Sequence, residues 1–74
     1  MISLVAENIR KIADDKGFKY KAVAIKAGFS PMEFSAMLTG RKTIQPDYVP
    51  AIAKALSVTP NDIYGYNRED SVSA

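Results

Sequence analysis

The 74-residue chain has no cysteine, no histidine and no tryptophan. Without cysteine there is no disulfide, no thiol nucleophile and no thiolate metal ligand. Without histidine there is no imidazole base and no imidazole to hold zinc. Such a composition fits a reducing cytoplasm. Nor is there any apolar run near the ~20 residues that a membrane-spanning helix needs. The opening stretch, "MISLVAENIRKIADD", has no basic head and carries Glu7, so it reads as a helix rather than a secretory leader. Internal repeats, a glycine-rich phosphate loop and a cluster of metal ligands are also missing. The acidic pairs Asp14–Asp15 and Glu69–Asp70 are chain neighbours, which on a helix do not face one another. The expectation is a cytoplasmic protein that is not an enzyme, uses no cofactor and has no evident small-molecule ligand.

Acidic charge is scarce in one place. Residues 16–42 carry Lys16, Lys19, Lys21, Lys26, Arg41 and Lys42 against Glu33 alone, a local net of +5 inside a chain whose total is +2. A concentrated patch of this kind attracts polyanions even when the whole molecule is nearly neutral. A solvated, lysine-rich helix surface is the plainer alternative, and charge alone does not choose between them. An apolar content of 47% with 24% charged residues suits a folded domain rather than a disordered chain. At this length there is one domain, with a thin core.

Periodicity predicts five short helices and no strand. Val5, Ile9 and Ile12, with Ile2, form the apolar stripe of a first helix that stops at Gly17. Tyr20, Val23, Ala24 and Ala27 line a second, ended by Gly28. A third begins with Ser30 as N-cap and Pro31 in the first helical position, where its missing N–H costs nothing. Glu33, three residues after Ser30, completes an expected capping box. Phe34, Met37 and Leu38 share its inner face, and Gly40 closes it. A fourth helix starts near Asp47, which leaves Pro50 in its first turn, and buries Val49, Ile52, Ala53 and Leu56. "TPNDIYG" repeats the start-and-stop grammar with Thr59 as cap and Gly65 as end. The domain is expected over 1–66, with 67–74 as a flexible tail.

Two short helices joined by a tight glycine turn form a helix-turn-helix, here about 20–39, whose second helix can enter the DNA major groove. Arg41 and Lys42, just past that helix, would lie where phosphates run. On these residues the chain resembles the Cro/repressor-type (lambda-repressor-like, Xre) helix-turn-helix domains of phage and bacterial regulators. "VAIKAGFS" places Val23, Ala24 and Gly28 at the family's Leu-Ala…Gly positions. "FSAMLTGRK" places Phe34 and Ser35 at its Ile-Ser positions, and "IAKALSVTPNDIYG" resembles its fourth and fifth helices. The resemblance covers about residues 4 to 65 and implies a compact all-α, five-helix fold. It also implies a homodimer that binds a double-stranded DNA operator, with half-sites about 34 Å apart, as a transcriptional repressor. By the same resemblance Pro31, Met32, Glu33, Ser35, Ala36 and Thr39 face the bases, and Lys19, Tyr20, Lys21, Arg41 and Lys42 the phosphates.

Two departures stand out. The family often has Gln where Tyr20 stands, and hydrogen-bonding residues where Pro31, Met32 and Ala36 stand. Those three offer no side-chain donors, though they can pack on thymine methyl groups. Glu33 could accept from a cytosine amine, but its capping role competes for the same carboxylate. A second reading is therefore a protein-interaction module on the same scaffold, antirepressor or antitoxin-like, with weak or no DNA binding. Tyr64 and Tyr66 could line a dimer contact or fold back onto the core. Ile25 falls outside the buried stripe and needs no function.

Overall fold

A computed structural model describes residues 3–65. Five α-helices follow one another: α1 (Leu4–Lys16), α2 (Tyr20–Ala27), α3 (Pro31–Leu38), α4 (Val49–Leu56) and α5 (Pro60–Tyr64), with one turn of 3-10 helix (Pro46–Tyr48) leading into α4. No strand occurs among the described residues. Tyr66 and the expected tail at 67–74 lie outside them, as does Ile2.

Side-chain caps start α1, α3 and α5. Ser3 caps α1 by accepting from Ala6 N–H, and Ser30 caps α3 by accepting from Glu33 N–H at 3.0 Å. At α5 the cap is reciprocal: Thr59 Oγ1 accepts from Asp62 N–H while the Asp62 carboxylate accepts from Thr59 N–H. The expected capping box at α3 is therefore only half present. Glu33 turns its carboxylate to Lys42, because an ammonium is a stronger partner than a neutral N–H.

Helix ends are equally local. Gly28 takes φ +93 between α2 and α3, a left-handed conformation that side chains resist, and this sets the sharp turn of the helix pair. Ser57 adopts the same conformation, φ 61, at the end of α4, so that stop comes without glycine and the sequence does not announce it.

Helix α1 packs on α5, α3 and α2, while α2 packs on α4 and α3. Their shared core holds Ile9, Val23, Phe34, Met37, Ile52, Leu56 and Ile63, each fully buried. Phe29, in the turn between α2 and α3, stacks 6.4 Å from Phe34 and meets Tyr48 edge-on at 5.0 Å, which anchors that turn to the entry of α4. The α1 stripe is shifted from the expected one. Ala6, Ile9 and Ala13 are its buried centre, with Val5 and Ile12 half-buried beside them. Ile9 is fully buried, and Ala6 and Ala13 are buried on either side of it. Tyr64 folds back against the core rather than standing free. Asn8 Nδ2 donates to the Ile63 carbonyl at 2.8 Å and ties α1 to α5.

Candidate nucleic-acid interface

Helix α3 buries Phe34, Met37 and Leu38 and turns its other side outward. On that side Pro31, Ser35 and Thr39 are exposed, and Met32 is 81% exposed. Ala36 and Glu33 are half-buried. A helix this short, held by three buried anchors and a proline-fixed start, presents a rigid ridge at the surface.

One cleft of about 250 Å³ brings together Tyr20 and Lys21 from the start of α2 with Pro31, Ser35, Leu38 and Thr39 of α3 and its end, and with Arg10 of α1. Five of the expected contact residues thus share one surface, and Arg10 joins them unannounced. It sits three residues before buried Ala13 and four after buried Ala6. Placing the α1 stripe on Ala6, Ile9 and Ala13 would have put Arg10 beside buried positions. Lys19 instead lines a separate apolar groove with Phe18, Ala22, Val23, Lys26 and Ala55. Lys42 lines a third hollow with Ser3, Val5, Met37 and Thr43. Met32, Glu33, Ala36 and Arg41 lie outside the cleft that holds Tyr20 and Lys21.

The polar groups are partly engaged. Tyr20 donates its hydroxyl to Asp14 Oδ1. The Thr39 hydroxyl bonds the Ser35 carbonyl at 3.0 Å and accepts from Arg41 Nε at 3.3 Å. Gly40, at φ +85, turns the chain so that the N–H groups of Arg41 and Lys42 both donate to the Ala36 carbonyl, at 2.9 and 3.1 Å. This fixes where the two cations leave the helix. Lys42 Nζ then pairs with Glu33 Oε2 across the face. The hydrogen bond to Glu33 raises the Lys42 pKa above its ordinary value. A raised lysine pKa contributes stability that disappears only as pH climbs through it, so loss of the Lys42 proton does not open the pair in the neutral range.

Among the described residues no group of three or more carboxylates could hold a metal ion. None of the described helices is long and apolar enough to cross a membrane. The arrangement offers a helix with one face exposed, a cleft with two cations, and a flank with a third and a fourth. That geometry suits a ridge set into a groove between phosphate chains.

No curated protein matches the chain. A family model for the Cro/C1-type HTH DNA-binding domain matches residues 8–69, which takes in the distal part of α1 and all of α2 to α5. The match and the five-helix fold agree, and the chain belongs to the Cro/C1-type helix-turn-helix DNA-binding domain family.

Proposed function

We propose that this domain binds double-stranded DNA in a sequence-dependent way, with α3 in the major groove, and acts as a repressor in the bacterial cytoplasm or nucleoid. The observation that carries this reading is the cleft that sets Arg10 and Lys21 beside Pro31, Ser35 and Thr39. Phosphates would meet Arg10, Lys21 and Arg41, while the ridge of α3 meets base edges. Tyr20 and Lys19 extend the backbone contacts at the start of α2. Base reading rests on apolar contact by Met32, Pro31 and Ala36 with thymine methyl groups, supplemented by the Ser35 hydroxyl, Glu33 and the Thr39 side chain. Few donors on that ridge mean modest direct discrimination, so groove shape adds to it. Two copies, one per half-site, would read a roughly palindromic operator.

A selection from a random duplex pool tests this. Enrichment of a two-fold symmetric site with half-sites about one helical turn apart supports a dimer with α3 in the groove. The exposure of Met32 favours the competing reading, a protein-docking face. That reading gains if no duplex is enriched and a stoichiometric protein partner is lost in Met32→Asp.

A further inference from the structure

The two cations that follow α3 are not equivalent. Among the described residues the Arg41 side chain donates through Nε to the Thr39 hydroxyl, a neutral partner, and pairs with no carboxylate. The Lys42 ammonium is held by the Glu33 carboxylate, with the two side chains 40% and 33% exposed. Such a pair lies at the surface and is not locked by burial, so other anions can compete for Lys42. Glu33 is also the one acidic residue between Lys16 and Lys42. It stands in the first turn of the helix that faces the groove.

Opening the pair has opposite consequences on different DNA. If Lys42 leaves for a phosphate, Glu33 is left as a bare carboxylate against a polyanion. A carboxylate only accepts hydrogen bonds, so guanine and thymine oxygens repel it as phosphates do. A cytosine N4 or adenine N6 amine, by contrast, can replace the lost ammonium. Lysine is already charged at working pH and the hydrogen bond to Glu33 only raises its pKa further, so competition between anions decides the exchange rather than proton loss.

Building on the DNA-binding reading, we propose that the Glu33–Lys42 pair is a specificity-determining element. It stays closed on arbitrary DNA, withholding Lys42 from the phosphates, and opens on a site that offers Glu33 a base amine. The pair thus suppresses non-specific binding as well as favouring the preferred site, a use of repulsion as much as attraction.

The test is a salt titration of duplex binding by wild type, E33Q, K42Q and the double variant. Each is first confirmed as folded by its circular-dichroism melt. Binding is measured on a random-sequence duplex and on one that the wild type selects. On random DNA, K42Q should leave the wild-type log–log slope unchanged but lower it by about one in the E33Q background. On the selected duplex, K42Q should lower the slope by about one in the wild-type background too. E33Q should bind random DNA more tightly and narrow the ratio of selected to random affinity. The inference is overturned if K42Q lowers the slope equally in both backgrounds on random DNA, or if E33Q leaves that ratio unchanged. Wild type that binds no duplex at all would remove the DNA-binding reading itself, and this inference with it.

Discussion

Tyr20 Oη donates to Asp14 Oδ1 at 3.0 Å, so the hydroxyl ties the start of α2 to the last turn of α1. The contact is exposed, and its removal should cost less than about 1 kcal/mol. Tyr20→Phe and Lys21→Ala separate the two kinds of phosphate partner. A neutral hydroxyl releases no counterion, so Tyr20→Phe should weaken duplex binding slightly with an unchanged salt slope. Lys21→Ala, in the same cleft, should lower the slope by about one. Parallel salt titrations of the two variants check this.

The Asn8 side chain forms a polar link between the first and last helices, through the Ile63 carbonyl. Asn8→Ala leaves that carbonyl short of a donor and should destabilise the fold by about 1–3 kcal/mol. Asn8→Asp keeps the size, loses the donor and sets a negative charge against a carbonyl oxygen, so it should cost at least as much. Urea unfolding followed by circular dichroism gives the comparison.

Ser57 holds a left-handed conformation that glycine adopts freely. Ser57→Gly should raise stability by about 1 kcal/mol, a few degrees in Tm for a domain of this size. A thermal melt that shows no gain would mean that the Ser57 side chain contributes to the turn between α4 and α5.

What the sequence made legible was local. Phe34, Met37 and Leu38 repeat on one helical face, and Ser30, Pro31 and Gly28 act within a turn of their own positions, so α3 and its brackets could be read directly. Contacts between distant residues could not. Asn8 and Ile63 are 55 residues apart, and nothing in the periodicity of either helix pairs them. Arg10 of α1 meets Tyr20, Lys21 and the α3 residues in one cleft, a contact between helices that the stripe of Val5, Ile9 and Ile12 does not reveal. Glu33 satisfied a valid local pattern, the capping box, and lost to a partner nine residues away that carries full charge. Ser57 shows the converse: a helix stop with no glycine to mark it.

The most direct measurement is duplex affinity as a function of salt, for wild type and for Arg10→Ala and Arg41→Ala. If α3 and its cationic surroundings form the interface, affinity falls steeply as salt rises and each variant lowers the log–log slope by about one. Affinity that ignores salt, or two variants indistinguishable from wild type, would contradict the account.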